Sequence, residues 1–232
     1  MSYFVLVRHG ESRWNVGNRF TGWVDVPLTT RGIREAIRCS VHCRAYDFDV
    51  AFTSNLERAQ STLLIILSLQ NRTGIFQHEG QGPHYRWSCT SNKCLPNDIP
   101  IFESEALNER FYGKLQGMDK HAAERRYGKA KVLKWRRGYK DRPPGGESLK
   151  DTFVRASPYL SRRVLSRVKR GENVLLVGHG NTLRATIKSL EGISDHDISL
   201  IDLPEGMPMV YEYRRGTFTR IKGSYRFNRP LR

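Results

Sequence analysis

The sequence predicts an α/β fold: a mostly parallel open sheet covered by helices on both faces, in three layers. Three observations carry that expectation. Short apolar runs rich in β-branched and aromatic residues alternate with longer segments whose apolar positions recur at helical spacing. Two of those runs, Tyr3–Val7 and Asn173–Val177, lead into Arg8-His9-Gly10 and Gly178-His179-Gly180. A chain of 232 residues, 38% hydrophobic and 27% charged, also has enough apolar material for a substantial layered core. The expected unit is one domain over 1–232, with an inserted excursion at about 71–100.

Taken in order, Tyr3–Val7 is a buried first strand, and Trp14–Pro27 is a long polar and aromatic loop of the kind that carries function. Thr29 or Thr30 caps a helix whose apolar positions are Ile33, Ala36, Ile37 and Val41. Asp49–Thr53 is a second strand, and Leu56–Leu69 a second helix with Leu56, Ala59, Leu63, Ile66 and Leu67 on one side. Asn71–Pro100 has glycines, prolines and no sustained period, so it reads as an excursion with room for one short hairpin. Leu107–Gly113 is a polar loop, and Lys120 opens a strongly basic helical stretch ending at Trp135-Arg136-Arg137. Ser148 after the Pro143–Glu147 turn is an N-cap, with Asp151 three residues on. Its helix buries Leu149, Phe153, Ala156, Leu160, Val164 and Val168 and should kink at Pro158. A third strand at Asn173–Val177, a helix burying Leu183, Ile187 and Leu190, and a hairpin around Gly216 complete the chain.

Lys and Arg outnumber Asp and Glu by 39 to 23, a formal net charge of +16. Such an excess suits anionic partners. The basic residues are spread along the chain rather than gathered in a tail, which makes nucleic acid the minor reading. No apolar run approaches the roughly 20 residues of a membrane span, and no secretion signal precedes the first strand, so the expected setting is cytoplasmic. Cys39 and Cys43 lie four apart on a helix and are expected to be buried, idle thiols. His78, His84, Cys89 and Cys94 are irregularly spaced for structural zinc; the expectation is a metal-free flap.

Arg8, His9, Arg58 and His179 all fall near the carboxyl edge of the expected sheet, where open α/β folds bind ligands. Neutral imidazole can attack phosphorus, and guanidinium matches phosphoryl oxygens in a bidentate fork. His9 is therefore the candidate nucleophile, with its other ring nitrogen held by a backbone carbonyl. A hydroxyl that enters or leaves needs a proton acceptor and donor, for which Glu109 is the candidate; its bland alternative is a surface carboxylate paired with a base. No metal is required, because the arginines supply the charge neutralisation, and no phosphate-binding glycine loop of nucleotide enzymes is present.

Arg8-His9-Gly10-Glu11 with Gly178-His179-Gly180 resembles the histidine phosphatase superfamily. The stretches Arg8–Asn15, Arg19–Trp23, Thr53–Ala59, Leu107–Gly113, Leu115–Gly117, Trp135–Gly138 and His179–Ala185 are similar, more narrowly, to the 2,3-bisphosphoglycerate-dependent phosphoglycerate mutases. The resemblance implies their fold, a cycle between 3-phosphoglycerate and 2-phosphoglycerate, and 2,3-bisphosphoglycerate as primer. It also implies phosphorylation of His9, proton transfer by Glu109, and stabilisation of the moving phosphoryl by His179, Arg8 and Arg58. It assigns Ser12, Asn15, Thr21, Gly22, Tyr112, Lys120, Arg136, Arg137, Gly180 and Asn181 to substrate binding. The partners so implied are small phosphorylated glycerates, with no membrane, and a homo-oligomer is compatible. Ser12 and Thr21-Gly22 follow the mutase pattern rather than that of the erythrocyte-type bisphosphoglycerate synthases. Three departures stand out: a longer Asn71–Pro100 connection, a shorter Pro143–Ser148 turn, and a tail reduced to Arg226–Arg232, from which some leakage of phosphoryl to water is expected. The runner-up activity is a phosphatase on the same scaffold, and a basic nucleic-acid-binding protein is the third reading.

Overall fold

The computed structural model describes residues 1–77 and 97–227. Seven strands form one sheet: β1 (Ser2–Arg8), β2 (Val50–Thr53), β3 (Thr73–Phe76), β4 (Asp98–Glu103), β5 (Val174–Gly178), β7 (Pro208–Arg214) and β8 (Thr217–Lys222), ordered β3-β4-β2-β5-β1-β7-β8. The pairs from β3 to β1 are parallel, while β7 and β8 add an antiparallel edge. That is the expected mostly parallel sheet. A separate two-residue pair joins β6 (Ile201–Asp202) to β9 (Arg226–Phe227).

Alternation along the central strands builds two cores. Phe4, Leu6, Val50, Phe52, Val174 and Leu176 face one side, against Leu149, Ala156, Leu160, Leu183 and Ile187. Val5, Val7, Ala51, Leu175 and Val177 face the other, against Cys39, Cys43, Ala59, Leu63 and Ile66. Both faces are thus covered, which is why the central strands read as continuous apolar runs. Helices α2 (Thr30–Cys43) and α3 (Glu57–Leu67) lie on one side; α6 (Leu149–Tyr159) and α8 (Gly180–Glu191) lie on the other. Between them in sequence come α4 (Lys120–Tyr127) and α5 (Lys129–Arg137), with a short α1 (Arg13–Val16) near the start. A smaller cluster of Phe20, Leu115, Ala123, Val132 and Trp135 packs α4 and α5 against the loop after α1.

Several local expectations hold. Thr29 caps α2 by accepting from Gly32 N, and Ser148 with Asp151 forms a capping box on α6. Gly216 follows Arg215 in a turn where both have positive φ, 86° and 51°, which matches the twist of a hairpin. Cys39 and Cys43 are buried free thiols.

Others are corrected. The inner face of α2 is Gly32, Glu35, Ala36, Cys39, Ser40 and Cys43, while Ile33, Ile37 and Val41 are 42%, 50% and 59% exposed. Small residues allow close approach to the sheet, and Glu35 accepts a hydrogen bond from Glu11 N at 2.9 Å, so a polar contact and steric fit outweigh the apolar stripe. Thr73–Phe76 and Asp98–Glu103, the flanks of the 71–100 stretch, are parallel neighbours in the main sheet; the interior of the stretch, where a short hairpin is expected, lies outside the described residues. The four residues considered for zinc, His78, His84, Cys89 and Cys94, lie outside the described residues. Part of the Trp14–Pro27 loop is the short α1, and the basic helix is two helices broken at Gly128, φ 87°. Helix α6 runs through Pro158 and widens into a π-helical stretch at Leu160–Leu165 before α7 (Ser166–Lys169). Its buried residues Ala156, Leu160, Val164 and Val168 recur every four positions. A regular α-helix would rotate that stripe by about 40° at each step, and the wider turns offset the drift.

Candidate active site

Strands β1 and β5 are adjacent and parallel, with Arg8 opposite Gly178. The next residue on each is a histidine, so register alone delivers two imidazoles side by side at the carboxyl edge. Their ring centroids are 5.0 Å apart at 58°, close to the spacing of neighbouring strands. His9 N donates to Gly178 O at 3.0 Å, tying the two strand ends together. Gly10 sits against α2 so closely that a Cβ there would be 2.4 Å from Gly32 O, which no side chain tolerates.

His9 Nδ1 lies 2.7 Å from Gly10 O. A carbonyl can only accept, so Nδ1 carries the proton and Nε2 keeps its lone pair. Burial, reinforced by Arg58 and then Arg8, holds the His9 pKa well below its ordinary value, keeping the ring neutral. His179 is also buried and its pKa is held down by burial, then by Arg58, His9 and Arg8. Its Nε2 lies 2.7 Å from Ser54 Oγ at the end of β2, and its Nδ1 is buried without a hydrogen-bond partner among the described residues.

Arg58, in the first turn of α3, is buried and donates to Gly22 O and Val24 O at 2.8 and 3.0 Å. Burial brings its pKa down to about 10. Among the described residues no base forms an ion pair with Glu109, as its bland reading would have it. Its Oε1 accepts from Arg110 N at 2.6 Å, Asn181 Nδ2 at 2.7 Å and Asn181 N at 3.3 Å. Lys120 is half-buried near Arg136 and Arg8, and burial followed by those two cations lowers its pKa.

Most of these groups line one open cleft. Arg8, His9, Asn15, Thr21, Gly22 and Arg58 form part of its wall; Glu109, Tyr112, Lys120, Arg136, Arg137, Gly180 and Asn181 form much of the rest. Two sequence-predicted residues stand behind it. His179 is fully buried beside His9, and Ser12 is buried with its Oγ donating to Asn15 Oδ1 at 2.6 Å. Ser12 therefore orients a cleft residue, Asn15. Residues the sequence reading passed over are Arg19, Phe20, Arg184 and Asp202 in the wall, with Ser54 behind. Arg184 had a signal, since it lies one helical turn beyond Gly180 on α8; Asp202 had none. Among the described residues, no group of three or more His, Cys, Asp or Glu is arranged to hold a metal ion, and no helix is long and apolar enough to cross a membrane.

A neutral imidazole with a free nitrogen, beside guanidiniums and a carboxylate, suits transfer of a phosphoryl group through nitrogen. The chain's relatives agree with that chemistry. The 2,3-bisphosphoglycerate-dependent phosphoglycerate mutase of Methanosarcina acetivorans is 44% identical over 238 residues, spanning 95% of this chain and 95% of its own. That of Cytophaga hutchinsonii is 46% identical over 213 residues, spanning 92% of this chain and 88% of its own. Bacillus stearothermophilus YhfR superposes with a TM-score of 0.73 at 25% identity over 95% of both chains. A putative alpha-ribazole-5'-P phosphatase from Escherichia coli also superposes at 0.73, with 22% identity over 95% of this chain and 94% of that one, a likeness of fold alone. A model of the histidine phosphatase superfamily (branch 1) matches residues 4–80 and 88–222, and with homologues of this identity and coverage the chain belongs to that superfamily.

Proposed function

We propose that this protein is a phosphoglycerate mutase that interconverts 3-phosphoglycerate and 2-phosphoglycerate through a phosphohistidine at His9, primed by 2,3-bisphosphoglycerate. The observation that carries the reading is the breadth of the cation set. One transferring phosphoryl is served by Arg8 and Arg58, yet Lys120, Arg136, Arg137 and Arg184 share the same cleft. A glycerate with a carboxylate and a second phosphoryl has use for them all. The mutase names of the homologues support the same reading.

The residues fit such an anion. Arg8 Nε and His179 Nδ1 are buried polar atoms without partners among the described residues, and the bare backbone of Gly180 leaves open a position 3.8 Å from Glu109 Oε2 and 3.9 Å from Arg8 Nε. When bound, 2,3-bisphosphoglycerate supplies the phosphoryl that charges His9. His9 Nε2 forms the N–P bond as the bond from phosphorus to the substrate oxygen breaks, and Glu109 delivers the proton that oxygen needs. In the reverse sense, Glu109 takes the proton of the attacking hydroxyl and the N–P bond breaks. Arg8, Arg58 and His179 stay with the phosphoryl oxygens throughout, where charge spreads in the transition state.

The setting proposed is the cytoplasm, with small phosphorylated glycerates as partners and no metal. Conversion of 3-phosphoglycerate, with and without added 2,3-bisphosphoglycerate, tests the reading by following 2-phosphoglycerate and free phosphate together. Primer-dependent 2-phosphoglycerate is the expected product; free phosphate alone would make the enzyme a phosphatase.

A further inference from the structure

One short segment of chain grips two cleft arginines in the same way. Arg184 Nε donates to Ile201 O at 2.6 Å, and its Nη2 lies 3.7 Å from Asp202 Oδ1. The pattern then repeats: Arg8 Nη1 donates to Leu203 O at 2.7 Å, and Nη2 pairs with Glu205 Oε1 at 2.8 Å. Each guanidinium is held by a carbonyl and a carboxylate, and its remaining donor is directed elsewhere. Arg8 Nε is left beside Gly180. Arg184 Nη1 donates to Asn181 Oδ1 at 3.0 Å, which turns the Asn181 amide so that Nδ2 reaches Glu109. The segment is itself anchored, since Ile201 and Asp202 pair with Phe227 and Arg226 and Gly206 N donates to Arg8 O at 3.1 Å.

We propose that Ile201–Glu205 is a charge-balancing clamp that limits how tightly the cleft holds phosphorylated anions, with Glu205 its main residue and Asp202 its second. The inference rests on the mutase reading, because that reaction requires a ligand to present first one phosphoryl and then the other to the same His9. Unopposed cations would hold such a ligand in one orientation, since every contact must break before it turns. Carboxylates already paired with Arg8 and Arg184 lower the field, and a ligand oxygen then competes with a partner instead of meeting a bare charge. They also fix the guanidiniums in place, so the reduced attraction costs no precision. Glu205 ranks first because its pair is shorter and its side chain less exposed, 24% against 45% for Asp202. Burial pushes the Glu205 carboxyl upward while Arg8 opposes it, with Glu35 and Glu11 adding repulsion and Arg31 opposing it.

The test compares Glu205→Gln and Asp202→Asn, which keep shape and an acceptor while removing charge, with Glu205→Asp, which keeps charge and loses reach. Calorimetry on the unphosphorylated enzyme gives the dissociation constants of orthophosphate and of 3-phosphoglycerate. Glu205→Gln should tighten both by about fivefold at low salt and progressively less as salt is added; Asp202→Asn should tighten them by a smaller factor, and Glu205→Asp should not tighten them. In turnover, Glu205→Gln should lower KM and kcat together, whereas loss of a merely structural contact would raise KM. Unchanged or weaker binding of both anions in the two charge-removing variants would overturn the clamp. If Glu205→Gln does not fold, Asp202→Asn decides in the same way. Failure of the mutase reading shows separately, as a wild-type enzyme that yields only free phosphate, and the orthophosphate arm still decides the clamp.

Discussion

At the scale of single residues, the chemistry is set by which atoms are left free. His9 has one nitrogen committed to Gly10 O and one available, so incubation with 2,3-bisphosphoglycerate should give an acid-labile phosphoryl adduct on the His9 peptide by mass spectrometry. His9→Ala should abolish turnover, and an adduct on another residue would dismiss the mechanism. Glu109→Gln keeps the shape that accepts from Asn181 but cannot take up a proton. Turnover should fall by roughly 10²–10⁴-fold, the usual scale of general acid–base catalysis, and near-normal turnover would return Glu109 to a positioning role. The two histidines also make a pH prediction. Burial depresses both folded pKa values below the ordinary 6.5, so below that pH the unfolded chain binds more protons than the folded one. Their contribution to stability is present above pH 6.5 and is lost as the pH falls, by up to about 1.4 kcal/mol per pH unit for each histidine. Urea midpoints measured from pH 5 to 8 should therefore decline less steeply on the acid side in His179→Gln than in the wild type. Equal slopes would mean that His179 takes up a proton in the folded state.

At the scale of elements, caps and close approaches matter more than apolar stripes. Ser148 and Asp151 satisfy each other's backbone at the start of α6, so Ser148→Ala should cost about 1 kcal/mol in denaturant unfolding. The stripe Ile33, Ile37 and Val41 on α2 faces outward, and Ile37→Ser should change stability by less than about 0.5 kcal/mol. Ala36→Leu, one position away but on the buried face, should cost about 1–3 kcal/mol from overpacking. A reversed order of those two results would mean that the helix presents its apolar face to the protein after all.

At the scale of the whole molecule, a parallel pair at the middle of the sheet and a loop nearly 200 residues later meet at one cleft. Arg8 on β1 is held by Leu203 and Glu205, and Arg184 on α8 by Ile201 and Asp202. Among the described residues the cleft's cations outnumber the carboxylates paired with them, burial followed by Arg136 and Arg8 lowers the Lys120 pKa, and an anion within the cleft relieves that repulsion. Added orthophosphate should therefore raise the melting temperature, since a ligand that binds only the folded state stabilises it by mass action. A melting temperature that does not respond to phosphate at concentrations well above its measured dissociation constant would contradict that linkage.

The layers, the strand ends that carry Arg8, His9 and His179, the caps Thr29 and Ser148, and most of the cleft are legible in the chain before it folds. Those features are local: alternating apolar runs, turn chemistry, and polar residues placed immediately after a strand are written in adjacent positions. The rest depended on long-range packing. The inner face of α2 depended on how small residues and Glu35 fit against a loop before it, and the flanks of the 71–100 stretch became neighbouring strands because each completes the edge of a sheet laid down elsewhere. Ser12 turned inward because its backbone N and its Oγ both donate to Asn15 Oδ1. Glu205 and Asp202 came to the arginines across 197 and 18 positions of sequence, and no spacing rule links residues that meet only when the chain has closed.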